Sequence, residues 1–256
     1  MIGQPELAIQ HEGAVNAGGT RELWLGALDF AHAPDELPDE AVEFLSEEST
    51  NFVNELLRGQ QEGRRHAWLD EASNHLAWGV QQQTEIQRRC VGLVGFKGIP
   101  SVPPYTNIKQ AESYITLWSD FGQGIGGLAY ERMCAFGLAA GIDVIFASVN
   151  NENCRSVALH RSCGFVALGT YDRNDQTRLD LRLYNPDLSD TSVHFLQRST
   201  IIRNNYEGPD PAEERRAREI AAGMRTRHAD LDAVVQTHPS IVRRFKEGMR
   251  PEPYQA

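Results

Sequence analysis

The chain has 256 residues, 41% hydrophobic and 23% charged, which is room for one generous domain plus an extension in a soluble globular protein. Its 25 Lys and Arg against 35 Asp and Glu give a formal charge of −10, which speaks against a nucleic-acid coat or a basic membrane-surface protein. No run approaches the ~18 apolar residues of a membrane helix. The start, Met1-Ile2-Gly3-Gln4-Pro5, lacks the basic and apolar stretches of a signal peptide. A cytoplasmic protein with neither nucleic-acid nor membrane partners is expected. Cys90, Cys134, Cys154 and Cys163 form no CxxC pair, so unbridged thiols are expected, and neither a disulfide framework nor a metal site.

Residues 1–20 are Gly- and Ala-rich and read as an N-terminal extension with one strand at Glu6–Gln10. Glu22–Phe30 has the pattern of a core strand. Asp35 to Glu55 then holds eight carboxylates and no Lys or Arg. Pro38, Asp39 and Glu40 mark a helix start, where a helix dipole favours acids. A second helix is predicted over Asn51–Gln61, followed by strands at His75–Gln82, Cys90–Gly98 and Ser113–Trp118. The three prolines of Pro100–Tyr105 make that stretch a loop.

Ser119–Gly127 is a glycine-rich turn, and Leu128–Ala140 a helix apolar nearly all round, stopped by Gly141. Val144–Val149 reads as a strand covered on both faces. Strand, helix, strand in this order predicts a right-handed crossover between parallel strands. A short capped helix runs to Cys163, and Gly164 ends it. Phe165–Tyr171 and Arg178–Tyr184 form a hairpin around Asn174-Asp175. Beyond Asn185-Pro186, Val193–Arg203 reads as one more strand, and Pro211–Met224, Leu231–Val235 and Ile241–Met249 as helices. The organisation is thus 1–20, a main domain over 21–186, and a mostly helical extension over 187–256 that docks on the domain or across a homodimer.

The loop Gly122-Gln123-Gly124-Ile125-Gly126-Gly127 opens a helix. Glycines let backbone N–H groups approach an anion, and the helix N-terminus adds its dipole, so a phosphate is the natural ligand. A dinucleotide loop, an acyl-CoA loop and an incidental turn all share such a pattern. A dinucleotide loop follows its strand at once, near the start of a long alternating domain. Here Ser119, Asp120 and Phe121 intervene, and the loop comes halfway down the chain.

A second motif favours acyl-CoA. Asn153, Ser156, Leu159, His160, Gly164 and Phe165 follow the spacing N-x-x-S-x-x-L-[HY]-x-x-x-G-F. Together with the loop, this stretch resembles the GNAT superfamily of acyl-CoA-dependent N-acyltransferases. It is nearest in motif to the branch acting on ribosomal-protein N-termini, which often carries an aromatic residue where Phe121 stands. Phe121 replaces the usual Arg or Gln, and Leu128 the acid that this branch carries after the loop.

The resemblance implies an α/β fold of the α+β kind, a mixed central sheet of about six to seven strands flanked by helices, with the helical extension outside it. It implies acetyl-CoA as co-substrate, cradled by Phe121, Gly122, Gln123, Gly124, Ile125, Gly126 and Gly127 and reached by Asn153 and Ser156. Asn153 equally suits a helix cap, and the Ser156 hydroxyl a bond back to it. The acceptor is a primary amine of a small molecule, peptide or protein, attacked directly without a covalent enzyme intermediate. His160 occupies the position of the family's thiolate-protonating Tyr, and imidazole can donate a proton near neutrality; a helix His packed beside Phe165 is the plainer reading. Glu112, near the start of the strand before the loop, is the candidate base, against the plainer readings of a solvated strand end and of water as proton acceptor. Tyr114, on the same strand face, is a substrate contact or a half-buried structural residue. The acidic helices are equally read as a solvated face or as a wall that favours a cationic acceptor, with Glu43, Glu47 and Glu48 the residues to test. The other reading, prompted by Phe121 and Leu128, is a catalytically degenerate domain that binds CoA as an effector or serves as an interaction module.

Overall fold

The computed structural model describes residues 5–9, 22–26, 36–42, 50–51, 53–55, 57–58, 75–83, 88–99, 108–119, 123–173 and 175–239. The strands are β1 (Leu7–Ile9), β2 (Glu22–Gly26), β3 (His75–Gln83), β4 (Arg88–Ile99), β5 (Gln110–Leu117), β6 (Val144–Asn150), β7 (Val166–Arg173) and β8 (Gln176–Tyr184). The helices are α1 (Asp39–Val42), α2 (Ile125–Ala139), α3 (Cys154–Ser162), α4 (Asp190–Asn204), α5 (Pro211–Arg227) and α6 (Leu231–Thr237). Residues 50–51, 53–55 and 57–58 are also helical, as expected, and residues 43–49 of the acidic stretch, with Glu43, Glu47 and Glu48, lie outside the described residues. The eight strands follow the hydrogen-bonded order β1-β2-β3-β4-β5-β6-β8-β7, one strand beyond the expected six to seven. The pairs β1–β2, β2–β3, β3–β4, β6–β8 and β7–β8 are antiparallel, and β5–β6 is parallel across the crossover through α2.

The chain divides into two compact units, and β5 and α2 contribute residues to both. The first holds residues 1–97 and 114–133. β3 is buried along nearly its whole length, which suits a strand covered on both faces. Its Trp78 ring meets Phe96 edge-on at 6.4 Å, and its indole N–H donates to the Pro5 carbonyl at 3.1 Å. The other core of this unit joins Leu37, Val53 and Leu57 to Cys90, Leu93 and Trp118. β4 carries glycines where β5 comes close: a Cβ at Gly92 would fall 2.6 Å from the Thr116 carbonyl oxygen.

The second unit holds residues 98–113 and 134–256. Val144, Val166, Leu168 and Tyr184 form its core with Val193 and Leu196 of α4 and Ala217 of α5. Asn185 secures the corner after β8. Its side-chain amide donates to the carbonyls of Leu138 and Ile142 at 3.0 and 2.9 Å, the open end that a helix such as α2 leaves unsatisfied. The hairpin turns where predicted, with Asp175 in the left-handed region at φ 59°.

The expected strand at Val193–Arg203 is instead α4. Ser189 caps it by accepting from the Ser192 N–H, and Val193, Leu196 and Gln197 fall on one buried face at helical spacing. Tertiary burial and a cap outweigh the β-branched run Thr200-Ile201-Ile202. α5 begins with an Asp210 cap and Pro211, and it packs hard against the turn after α3. Gly164 adopts φ 86° there, and a Cβ on it would fall 2.8 Å from the Ala217 carbonyl oxygen. The extension is therefore part of this unit's core, and an Arg161–Glu213 ion pair at 3.0 Å links α3 to α5. No helix among the described residues is long and apolar enough to cross a membrane.

Candidate active site

In the first unit the glycine turn feeds α2. Gly124 stands in the left-handed region at φ 75°, and its carbonyl accepts from the Leu128 N–H at 3.2 Å. A side chain at Gly124 would meet nothing within 4 Å, so the turn presents bare backbone on that side. Gln123 and Gly124 are exposed, Ile125 is buried, and Gly126 lies against β5, where a Cβ would be 3.1 Å from Leu117 Cδ1. The helix starts three residues earlier than predicted, inside the glycine run, with Gly126 packed on β5. The first turn of α2 carries no acidic side chain, a composition that suits an anion at the positive end of the helix dipole. Phe121 and Gly122 lie outside the described residues.

In the second unit α3 carries the other motif. Asn153 is its N-cap: Oδ1 accepts from the Ser156 N–H at 2.9 Å. His160 sits one turn further on, with only 3% of its surface exposed. Its Nδ1 is 2.7 Å from the Ser156 carbonyl oxygen and 3.4 Å from Ser156 Oγ, and its ring meets Phe165 edge-on at 5.1 Å. A carbonyl oxygen only accepts, so Nδ1 carries the proton of the neutral ring and Nε2 carries none. Burial pulls the pKa of His160 down to about 4, partly offset by the hydrogen bond to the Ser156 backbone. At pH 7 only about one ring in a thousand would hold a second proton. In this position the ring packs α3 against Phe165, and burial disfavours its charged form.

Glu112 is half-buried on β5, directly beside Phe146 of β6. Tyr114 lies two residues along the same strand face, packed on the core around Trp118, and burial pushes its phenol well above the ordinary tyrosine range. Gly95 leaves room for that ring, since a Cβ at Gly95 would run into the phenol and fall 2.7 Å from the Leu76 carbonyl oxygen. Tyr114 thus packs against the core of the first unit.

Sequence reasoning passed over one polar face in the second unit. The signal was the strict alternation Arg178-Leu179-Asp180-Leu181-Arg182-Leu183. Cross-strand register lays out successive rows on this face: Glu112, Phe146 and Arg182; then Ser148, Asp180 and Gly169; then Asn150, Arg178 and Tyr171. Asp180 and Arg182 form a bidentate pair at 2.6 and 2.9 Å, with the guanidinium 4.6 Å from the centroid of the Phe146 ring. Burial opposes the Arg182 charge, and the Asp180 bonds outweigh it. Among the described residues no group of His, Cys, Asp and Glu could hold a metal ion.

Residues 31–166 match the family described as "Acetyltransferase (GNAT) domain", and the chain belongs to that family. GNAT domains use acetyl-CoA, and GNAT acetyltransferases act on amine acceptors. Among solved structures the chain is similar to the acetyltransferase (GNAT family) from Bacillus anthracis, with 14% identity, a TM-score of 0.45, and coverage of 64% of this chain and 96% of that one. It is also similar to the acetyltransferase from Agrobacterium tumefaciens str. C58, at 18% identity and a TM-score of 0.41, over 62% of this chain and 89% of that one. RimL, a ribosomal L7/L12 alpha-N-protein acetyltransferase in complex with coenzyme A, is 18% identical with a TM-score of 0.39, over 63% of this chain and 93% of that one. No curated protein matches the chain in sequence.

Proposed function

We propose that this chain transfers the acetyl group of acetyl-CoA directly to a primary amine. The observation that carries the reading is the bare glycine turn at the start of α2, with Gly124 open and no acid in the first helical turn. It suits the CoA pyrophosphate, which would be held by backbone N–H groups from Gln123 to Gly127. Phe121 and Gly122 complete the cradle in this proposal, with Asn153 and Ser156 as further CoA contacts beyond the cap they form.

An alkylammonium titrates near ~10.4 and must lose a proton before attack. Glu112 is the proposed acceptor of that proton, directly or through a water. The amine nitrogen then bonds to the thioester carbonyl carbon and sheds its second proton to solvent, and the tetrahedral intermediate collapses with cleavage of the C–S bond. A thiol of ordinary pKa, ~8.5, leaves readily as a thiolate and takes its proton from solvent. No side-chain acid is required, consistent with a neutral His160. The acidic stretch with Glu43, Glu47 and Glu48 is proposed to attract the ammonium form of the acceptor. Dependence on acetyl-CoA and four cysteines outside any disulfide fit a reducing cytoplasm.

The test is thiol release from acetyl-CoA against a panel of amines, peptides and aminoglycosides. Amine-dependent release with a mass gain of one acetyl group supports the reading. CoA binding without release across the panel would overturn it in favour of an effector-binding domain. Changing Glu43, Glu47 and Glu48 to Gln should raise KM for cationic acceptors and leave that for acetyl-CoA unchanged; salt-independent kinetics would reject the electrostatic role.

A further inference from the structure

On the polar face of the second unit the Asp180–Arg182 pair cancels its own charge, and Arg178 stands apart from it. Its Nε donates to Ser148 Oγ at 2.7 Å, Nη2 to the Ser148 carbonyl oxygen at 2.6 Å, and Nη1 to Gln176 Oε1 at 3.2 Å. Tyr171 Oη bonds the same Ser148 hydroxyl. All the acceptors are neutral, and among the described residues no carboxylate pairs with Arg178. Three N–H groups of the five are used, so the guanidinium is aimed and half-buried, its charge and two donors still to be matched. Long cations that only decorate a surface are not held by two atoms of one serine and by a glutamine at once. Such pre-orientation is what carboxylate recognition requires.

We infer that Arg178 binds a carboxylate of the acceptor, so that the substrates are amines carrying a carboxylate at a distance. The inference rests on the proposed acetyl transfer with Glu112 as proton acceptor. Glu112 and the Ser148-bound guanidinium share one sheet face. By register the backbone positions of Glu112 and Ser148 are one strand apart across the sheet and two residues apart along it, roughly 8 Å. An α-amino acid is too short to place its amine at one and its carboxylate at the other. A dipeptide or an ω-amino acid spans the gap, and a peptide with an acidic side chain near its N-terminus does so too. Ser148 and Tyr171 orient the guanidinium and leave the transferred acetyl group untouched.

The experiment compares a dipeptide as free acid, the same dipeptide as C-terminal amide, an amidated peptide with a Glu side chain, and an α-amino acid. Wild type should show a KM at least tenfold lower for the acid than for the amide, and Arg178→Gln should erase that preference with kcat and the acetyl-CoA KM kept. A low KM for the Glu-bearing amide identifies a side-chain carboxylate as the natural source; a low KM for the free acid alone identifies the main-chain one. Equal KM for acid and amide in wild type, a preference that survives Arg178→Gln, or a preference for the α-amino acid would overturn the inference. Binding of the N-acetylated dipeptide acid, followed by calorimetry, provides a readout without turnover. It should weaken tenfold or more in Arg178→Gln, and unchanged binding is refuting. If no amine is acetylated, the enzymatic reading fails while this binding still decides the subsite. Should Arg178→Gln not fold, Ser148→Ala keeps the charge and removes one anchor. Severalfold weaker binding of the acid, with none for the amide, supports the site, and no change overturns it.

Discussion

Replacing His160 by Gln keeps an amide N–H within reach of the Ser156 carbonyl and removes the titration at that position. The folded ring has a pKa of about 4 against 6.5 in an unfolded chain, so between those values the unfolded chain binds more protons. The stabilising contribution is complete above pH 6.5 and is lost as pH falls towards 4. At 1.36 kcal/mol per pH unit, the loss by pH 4 is about 3 kcal/mol. Urea unfolding of wild type and His160→Gln at pH 7.5, 5.5 and 4.0 measures it. Carboxylate protonation affects both proteins alike and cancels in the comparison. Wild type should lose about 3 kcal/mol more than the variant between the two extremes, and parallel curves would refute the buried neutral ring. Activity is the second readout. His160→Gln should keep neutral-pH turnover within severalfold, because the ring has no Nε2 proton to donate. A fall of ~10²-fold with loss of one limb of the pH–rate profile would restore the proton-donor role.

Four further outcomes follow from the glycine turn and the packing. Gly124→Glu sets a charge into the bare turn and should weaken CoA binding by tenfold or more, about 1.4 kcal/mol; unchanged affinity in the folded variant would move the pyrophosphate elsewhere. Asp180→Asn strands the buried Arg182 guanidinium and should cost about 3–5 kcal/mol in chemical unfolding, whereas Asp180→Leu with Arg182→Met should recover most of it. Gly164→Ala presses a Cβ into the Ala217 carbonyl at positive φ and should lower stability by about 2 kcal/mol, read as a drop in Tm, while truncation after Asn185 should melt the second unit.

The alternation and glycine signals were legible because they are local. The hairpin at Asn174-Asp175 and the cap at Asn153 follow from residues within one or two turns of each other, and the parallel crossover through α2 follows from the order of three consecutive elements. α4 was misread because Val193, Thr200, Ile201 and Ile202 suit a strand, and what makes them helical is the buried face that Val193 and Leu196 share with Val166 and Ala217. The tautomer of His160 depends on its burial, which no spacing reveals. The Arg178 clasp draws Ser148 from β6, Tyr171 from β7 and Gln176 from β8, so it exists only once the register is set. The alternating charges on β8 hinted at a polar face but not at which guanidinium lacks a carboxylate.

The second unit begins with residues 98–113 and is completed by α5, whose Ala217 closes on Gly164. A growing chain therefore emerges with its first strand segment more than a hundred residues ahead of the helix that seals it. During synthesis the apolar side of Val166 and Leu168 waits for the ribosome to finish the C-terminal helices. Folding of this unit is thus a late, long-range event. A premature stop anywhere before α5 would release an open, aggregation-prone sheet rather than a smaller working enzyme.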